Sequence, residues 1–456
     1  MKINFNVLGG GNEIGANSYL LSINETNIIL DSGLHPRQKG SLAFPNFESI
    51  KNTNIEHLII SHAHTDHIAS LPYFLKFFPY AKIYSTKPTH SLAEIMLSNT
   101  TRILREEFEL EFDKSMISNY KEETLDIIPM IMKRCDYNEK IFINESDKEN
   151  ISFEFFDAGH ILGSASVLIN AGGKKIFYTG DINLRNQALI PKAELPKHKV
   201  DVLITESTNC ATENYPDYKE ETNRLASFIN RVINKGGSVL IPTFALGKSQ
   251  EILMRVHTLM KKNIIPHVPI YYSPMSKAIN DVYDDYIYSN ERVKKGFKLS
   301  EIEFTLLDRR DSVRGDFYKH PSIIIATSGM MMPRTASYTI AKQFLPRSNF
   351  GIAVCGYCDP DTPGYLIKNA KYNELLYLNN VESPIEVKCE IGNFRFSSHS
   401  RKEEIESIVE TLNPDTIIIV HGDENAINSL GGEMLKKYPD KRIIAPEKGK
   451  NYRLIK

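Results

Sequence analysis

The chain has 456 residues and a formal net charge of −1 at pH 7. This length exceeds the size at which one hydrophobic core usually stops growing, so we expect two domains. An ordinary apolar content excludes wholesale disorder, and the near-zero charge excludes steering of a polyanion by the whole chain, so such a partner would need a local basic cleft or metal ions.

The sequence carries no signal for a membrane or for export. No apolar stretch reaches the length of a membrane span, and the first five residues lack the zones of a signal peptide. An odd number of scattered cysteines does not form a disulfide framework and fits a reducing compartment. Their positions are Cys135, Cys210, Cys355, Cys358 and Cys389. We therefore expect a cytoplasmic protein.

Strands and helices alternate along the chain, which predicts an α/β protein. Short apolar runs ending in Gly, Asp or His predict strands at 3–8, 19–23, 27–30, 57–60, 152–156, 166–169 and 175–178. Apolar residues at helical spacing predict helices at 88–99, 219–233, 249–261, 276–287, 401–412 and 425–437. Between about 92 and 150 the charge rises, and there we expect a helical excursion without strands.

The segment SHAHTDHIASLP at 61–72 follows one of the predicted strands. It contains four side chains of the kind that bind metal ions: His62, His64, Asp66 and His67. Imidazole and carboxylate groups that converge where a strand ends and a helix begins would suit a divalent transition metal. The alternative is a polar loop in which Thr65 or Asp66 caps a helix, but a cap explains only one residue of the four.

Three further apolar strands end on residues of the same kind. They lead to His160, Asp181 and His421. One such residue alone would more often be an ordinary polar residue at a strand end. Together with the 61–72 segment, the three strands would deliver ligands to a common sheet edge and complete two metal sites.

These residues, together with Asp31, resemble the metallo-β-lactamase superfamily. Four more segments resemble its β-CASP nucleic-acid-processing branch, namely TEST at 205–208, PTFALGKSQE at 242–251, SGMM at 328–331 and FSSH at 396–399. The resemblance implies a four-layer αββα sandwich made by residues 1–207 and 395–456. It also implies an inserted α/β β-CASP cap at 208–394.

The resemblance further implies a function for each candidate residue. It assigns ligands to two zinc ions, with His62, His64 and His160 on one, Asp66, His67 and His421 on the other, and Asp181 on both. Asp31 would orient the ligand imidazoles from behind. Without the resemblance, a turn-forming aspartate before Ser32 and Gly33 would be an equal interpretation of Asp31.

The implied reaction is hydrolysis of RNA phosphodiester bonds by a hydroxide that bridges the two zinc ions. Displacement leaves an alkoxide that must be protonated, and the candidate acid is His399, with Glu206 holding its tautomer. Asp66 joins these two as a catalytic residue. Lys248 and Arg334 are predicted contacts to the substrate phosphates, with single-stranded RNA favoured.

Three classes of function stay open at this level. The first is a zinc-dependent ribonuclease of RNA processing or decay, cutting internally or from the 5′ end, alone, as a homodimer or with a processing-complex partner. The second is a hydrolase of small esters, lactones or thioesters, which Glu206, His399 and the long insert disfavour; the third is a scaffolding pseudo-enzyme, which predicts lost ligands. A DNA nuclease is the alternative within the first class, but histidine at His421 favours RNA in this family.

Overall fold

The computed structural model describes residues 1–111, 119–146, 149–213, 215–378 and 383–455. Its strands are β1 (Ile3–Gly9), β2 (Ser18–Ile23), β3 (Thr26–Leu30), β4 (His57–Ile59), β5 (Lys82–Thr86), β6 (Met132–Cys135), β7 (Ile141–Ser146), β8 (Glu149–Asp157), β9 (Ala165–Ala171), β10 (Lys174–Tyr178), β11 (Val202–Thr205), β12 (Val239–Pro242), β13 (Ile270–Tyr272), β14 (Thr305–Leu306), β15 (Ile323–Ala326), β16 (Gly351–Val354), β17 (Leu375–Leu376), β18 (Ile385–Glu386), β19 (Glu390–Asn393), β20 (Thr416–Ile419), β21 (Arg442–Ile444) and β22 (Asn451–Arg453).

The α-helices are α1 (Thr65–Ile68), α2 (Leu71–Phe77), α3 (Lys87–Glu111), α4 (Glu122–Ile131), α5 (Tyr218–Asn234), α6 (Lys248–Lys261), α7 (Pro274–Asp285), α8 (Arg309–Arg314), α9 (Ala336–Phe344), α10 (Pro363–Asn369), α11 (Lys402–Leu412) and α12 (Glu424–Lys437). Short 3-10 turns lie at Gly40–Ala43, Phe47–Ile50, Leu299–Glu301 and Asp316–Tyr318. Within the described ranges, no helix combines the length and the apolar character that crossing a bilayer requires.

The described chain divides into two compact units, and the first consists of Met1–Asn186, Lys192–Glu213 and Ser398–Lys456. It contains two seven-stranded sheets, ordered β22-β1-β2-β3-β4-β5-β6 and β21-β20-β11-β10-β9-β8-β7. Buried side chains of the first sheet, such as Phe5 and Leu21, share one core with buried side chains of the second, such as Phe153 and Ile418. The two sheets therefore pack face to face.

Helices cover the outer face of each sheet in this unit. Leu58 of β4 belongs to a buried cluster with Phe74 of α2 and residues of α3 and α4. Leu203 of β11 belongs to another with Ile408 of α11 and residues of α12. The order of layers is helix, sheet, sheet, helix, and the predicted αββα sandwich is confirmed.

The second unit consists of Gln187–Pro191 and Asn214–Ser397. Its main sheet has the order β14-β13-β15-β12-β16-β19, and all its pairings are parallel. Three of these strands, β12, β15 and β16, contribute buried residues to one core, namely Leu240, Ile324 and Ile352. Phe344 of α9 and Ile367 of α10 belong to the same core. The insert is thus an α/β domain, as predicted, while its boundaries at 207/208 and 394/395 stay a prediction.

The expectation that no strand lies between about 92 and 150 is wrong. β6 pairs with β5 at the edge of the first sheet, and β7 pairs with β8 at the edge of the second. Lys133 and Arg134 are exposed in the middle of β6. An edge strand carries such charges because they oppose pairing with another chain, so the charge that suggested helices belongs in part to sheet edges.

Gly33 of the first unit lies so close to two other backbone segments that there is no space for a side chain. A Cβ atom at Gly33 would lie 1.6 Å from the backbone oxygen of Asp66 and 2.8 Å from the backbone nitrogen of Asn17. Neither atom can rotate away as a flexible side chain would, so Gly33→Ala should force a backbone shift. We expect it to lower the free energy of unfolding by roughly 1–3 kcal/mol or more.

The matched control is Gly432→Ala in α12, where an added Cβ meets nothing within 4 Å. Alanine favours a helix over glycine by about 1 kcal/mol, so this variant should unfold at the wild-type temperature or above it. Thermal unfolding followed by circular dichroism measures both. Equal midpoints for the two variants would contradict the role assigned to Gly33.

Candidate metal centre

The candidate ligands, together with Asp31 and Glu206, follow the carboxyl ends of strands in the first unit. Asp31 follows β3, the segment 62–67 follows β4, His160 follows β8, Asp181 follows β10, Glu206 follows β11 and His421 follows β20. β3 and β4 are parallel neighbours, and so are β10, β11 and β20. Because parallel strands end at the same sheet edge, side chains that are far apart in sequence converge there.

Two groups of ligand-type side chains form at this edge. One group is His62, His64, His160 and Asp181, and the other is Asp66, His67 and His421; within each group the ligand atoms lie within 4.8 Å of one another. In the first, His64 Nδ1 lies 3.1 Å from His62 Nε2 and 3.0 Å from His160 Nε2. In the second, His421 Nε2 lies 3.2 Å from Asp66 Oδ2. The first group contains the residues predicted for one metal ion, and the second contains those predicted for the other except for the shared Asp181; their role as ligands stays a prediction.

Asp181 stands between the groups, with one oxygen toward each. Oδ2 lies 3.5 Å from His62 Nε2 and 3.6 Å from His160 Nε2. Oδ1 lies 3.3 Å from His67 Nε2 and 3.4 Å from His421 Nδ1. Burial raises the pKa of the Asp181 carboxyl, but the surrounding imidazoles, His421 first, hold it well below its usual value.

The same carboxylate offers a test of whether a metal ion fits. Asp181 is 3% exposed, and its buried Oδ1 receives no well-formed hydrogen bond from any residue in the described ranges. A buried carboxylate oxygen without a donor is costly, and a cation would compensate it. Imidazole nitrogens and carboxylate oxygens are also the donors that zinc accepts. The residues therefore fit a divalent metal site.

Asp31 holds one of the imidazoles from behind. Its Oδ2 lies 2.8 Å from His67 Nδ1 and accepts hydrogen bonds from the hydroxyls of Ser61 at 2.8 Å and Tyr178 at 2.6 Å, while Oδ1 accepts from Ser61 N at 2.7 Å. With Nδ1 at Asp31, His67 turns Nε2 toward Asp181. The sequence analysis missed Tyr178 because the last residue of an apolar strand reads as core.

Three other groups contact the candidate ligands, and sequence reasoning did not find them. Asn17 Nδ2 lies 2.9 Å from His67 Nε2, and the Thr208 hydroxyl lies 3.0 Å from His421 Nδ1. The backbone oxygen of Ser398 lies 2.8 Å from His160 Nδ1. Thr208 and Ser398 lie inside the TEST and FSSH segments, so the sequence already indicated that these segments belong to the site. No sequence pattern indicated a role for Asn17.

Burial and the carboxylates set the charge on the imidazoles. Burial, followed by neighbouring charges, holds the pKa of His62 and of His160 well below the usual value. Burial also opposes the charged form of His67, but Asp181 and Asp66 outweigh it and raise its pKa well above the usual value. Neutral imidazole is the form that binds metals, and burial favours this form for His62 and His160.

His399 and Glu206 form a pair beside this cluster, in which Glu206 is buried and His399 is half-buried. His399 Nδ1 lies 2.9 Å from Glu206 Oε2, and Glu206 Oε1 accepts a hydrogen bond from the backbone of Ile182 at 2.7 Å. Burial lowers the pKa of His399, but Glu206 and Asp181 together raise it to about 9. The His399 and His160 rings lie 4.6 Å apart, centroid to centroid. The pair thus holds a proton at the margin of the cluster.

Glu206 also lies within ligand distance of Asp181 and His421. Both of its oxygens already accept hydrogen bonds, one from Ile182 and one from His399. We therefore assign Glu206 to His399 and not to a metal ion.

Lys248 and Arg334 belong to the second unit. Lys248 is the half-buried first residue of α6, and Arg334 is exposed in the left-handed backbone region with φ 68°. Their role as phosphate contacts stays a prediction.

Three family models match the chain. Residues 11–208 match the metallo-beta-lactamase superfamily, residues 249–367 match the Beta-Casp domain, and residues 384–446 match the Zn-dependent metallo-hydrolase RNA specificity domain. The first and third models fall mainly on the sandwich and the second falls on the α/β insert.

Relatives with similar sequences have names from RNA processing. Cleavage and polyadenylation specificity factor subunit 3-I of Arabidopsis thaliana is 30% identical, covering 96% of this chain and 62% of the relative. Subunit 3 of the same factor from Dictyostelium discoideum is 29% identical, covering 96% and 56%. Endoribonuclease YSH1 of Kluyveromyces lactis is 28% identical, covering 96% and 57%. The chain thus spans less than two thirds of the length of these relatives.

A solved structure has the same fold along nearly the whole chain. It is the crystal structure of a protein of unknown function from Enterococcus faecalis V583, with a TM-score of 0.58 and 16% identity, covering 99% of this chain and 100% of that one. Such a distant likeness shows the fold alone. The sandwich, the ligand-type cluster and the three models agree that the chain carries a metallo-β-lactamase domain, a Beta-Casp domain and a Zn-dependent metallo-hydrolase RNA specificity domain.

Proposed function

We propose that the protein is a two-zinc ribonuclease that hydrolyses phosphodiester bonds of single-stranded RNA. The observation that carries this proposal is the Asp181 carboxylate, which lies between two groups of imidazoles beside the His399–Glu206 pair. The RNA specificity domain model at 384–446 and the names of the relatives favour RNA as the substrate.

The candidate ligands divide between two ions. One ion would be held by His62, His64 and His160, the other by Asp66, His67 and His421, with Asp181 shared. Two divalent ions held in this way lower the pKa of a bound water and neutralise charge on the phosphate oxygens. Asp31 keeps the His67 ring oriented, because its carboxylate contacts Nδ1 and leaves Nε2 facing Asp181.

His399 is the proposed acid for the leaving group. Cleavage that displaces a 3′-oxygen leaves an alkoxide that needs a proton. Glu206 engages His399 Nδ1, so the ring would give its proton through Nε2, and the charge of Glu206 favours the protonated ring by raising its pKa.

One assay tells whether the protein cuts RNA internally or from the 5′ end and whether it needs partner proteins. Incubating the zinc-loaded chain with single-stranded RNA and matched DNA, each labelled at either end, separates internal cleavage from 5′-to-3′ degradation and RNA from DNA. The names of two relatives as factor subunits suggest work within a processing complex, and adding partner proteins to the same assay tests that dependence.

The first expected result concerns metal content. The purified, reconstituted chain should hold close to two zinc ions, and His160→Ala or Asp181→Ala should lower that number because each removes a proposed ligand. Elemental analysis by mass spectrometry measures the content. A metal-free wild-type protein after reconstitution would remove the basis of the mechanism.

The second expected result separates the acid from the ligands. Glu206→Gln and His399→Ala should keep the wild-type zinc content yet lose cleavage by about 10²-fold or more, the usual contribution of general acid catalysis. Zinc content and the rate of RNA cleavage are measured on the same preparations. Cutting at the wild-type rate by either variant would show that the acid is another group.

The third expected result concerns the basic residues of the second unit. Lys248→Ala and Arg334→Ala should weaken RNA binding and reduce the slope of log affinity against log salt by about one unit each, because each phosphate contact releases counterions. Lys436→Ala on α12 is the control and should leave the slope unchanged. Binding titrations across a salt series decide, and identical slopes for all four proteins would exclude both residues.

A further inference from the structure

The parallel sheet of the second unit has a point where its connections diverge. β12 and β16 are neighbours in the sheet. After β12 the chain continues to β13, which lies on one side of this pair of strands. After β16 the next strand of the same sheet is β19, which lies on the other side. Because such crossovers are right-handed, connections that leave in opposite directions pass over opposite faces of the sheet. Open α/β sheets bind ligands in a crevice outside the carboxyl ends of the strands at such a point, so we expect a crevice between the carboxyl ends of β12 and β16.

Two exposed aromatic side chains stand at this crevice. Phe244 follows β12 and is 37% exposed, and Tyr357 follows β16 and is 49% exposed. A Cβ atom at Gly356 would lie 3.9 Å from the Phe244 ring, and one at Gly329 would lie 3.2 Å from it. Glycines thus stand where side chains would otherwise cover the ring.

Positive charge lies close to the same loop. Lys368 Nζ donates to the backbone oxygen of Gly356 at 3.5 Å. Burial raises the pKa of the Cys355 thiol, and the charge of Lys248 opposes that rise, so Lys248 also lies near the end of β16. Asp359 places one carboxylate nearby, where it acts on Cys358 against Lys368. Lys248 and Lys368 therefore place positive charge near the two rings, and Asp359 offsets part of it.

We propose that this crevice is a base-stacking subsite for single-stranded RNA, with Phe244 and Tyr357 as the stacking surfaces and Lys248 and Lys368 beside the backbone phosphates. Exposed rings next to cations are the means by which proteins hold single strands without regard to sequence. The subsite rests on the proposed function, because it names how the same substrate is held. It assigns to the β-CASP domain the recognition of bases in addition to phosphates.

The test compares a strand that has bases with one that lacks them. The full chain, kept in chelator so that RNA is not cut, is titrated with a fluorescent oligouridylate and with an abasic ribose-phosphate strand of equal length. Phe244→Ala and Tyr357→Ala should each weaken oligouridylate binding by about tenfold and leave the salt slope unchanged. Wild type should bind the abasic strand as weakly as a variant with both Phe244→Ala and Tyr357→Ala binds oligouridylate.

Two further variants separate stacking from folding. Phe244→Leu keeps an apolar side chain but removes the ring, so it should lose affinity while its thermal midpoint stays near that of wild type. Tyr288→Ala, at an aromatic residue that is 90% exposed elsewhere in the same unit, should bind like wild type.

The outcomes distinguish this subsite from the proposed function. If zinc-loaded wild type cuts RNA but Phe244→Ala and Tyr357→Ala bind oligouridylate as Tyr288→Ala does, the stacking subsite is wrong and the ribonuclease stands. Equal wild-type affinity for the abasic strand would overturn it in the same way. If wild type neither binds nor cuts RNA, both proposals fall.

Discussion

The cost of burying the Asp181 carboxylate is the constraint on which the candidate centre depends. Four imidazoles lie within 3.3–3.6 Å of its two oxygens, yet Oδ1 receives no well-formed hydrogen bond from the described residues. A buried charge is tolerated when it is paired or when it binds a metal ion. The surrounding histidines therefore stabilise the carboxylate and also form the two groups that we propose as metal sites.

The backbone around the centre is held in conformations that most residues avoid. Asp31 and His421 have φ angles of 63° and 50°, in the left-handed region that favours glycine. Gly33 lies against the backbone of Asp66 too closely for any side chain. Such strain persists only where the surrounding structure over-determines it. Here the two buried sheets supply that rigidity, because the strained residues follow directly from strands in their interior.

The segment that carries the proposed acid is fixed by its backbone as well as by Glu206. His399 O accepts hydrogen bonds from Asn209 at 3.0 Å and from Arg185 at 3.2 Å, and Arg185 in turn lies 3.0 Å from Glu404. The neighbouring Ser398 O meets the Nδ1 of His160. A candidate metal ligand and the acid are therefore positioned through adjacent peptide groups, which ties the geometry of one to that of the other.

The sequence by itself determined which chemical groups the centre contains and on which strand ends they stand. An apolar run is a local pattern, and so is the His or Asp that follows it. The strand predicted at 166–169 from its apolar run likewise matches the middle of β9. The charged edge strands β6 and β7 were missed because charge at a sheet edge resembles charge on a helix.

Only the tertiary structure decided which other groups support the candidate ligands. His160 and Ser398 are 238 positions apart, and Tyr178 reaches Asp31 across 147 positions between two different sheets. Local periodicity carries no information about such pairs, because strand order and sheet packing arise from burial of the whole apolar surface. The supporting contacts of Asn17, Ser61 and Tyr178 were therefore invisible in the sequence, although the ligand-type residues that they touch were not.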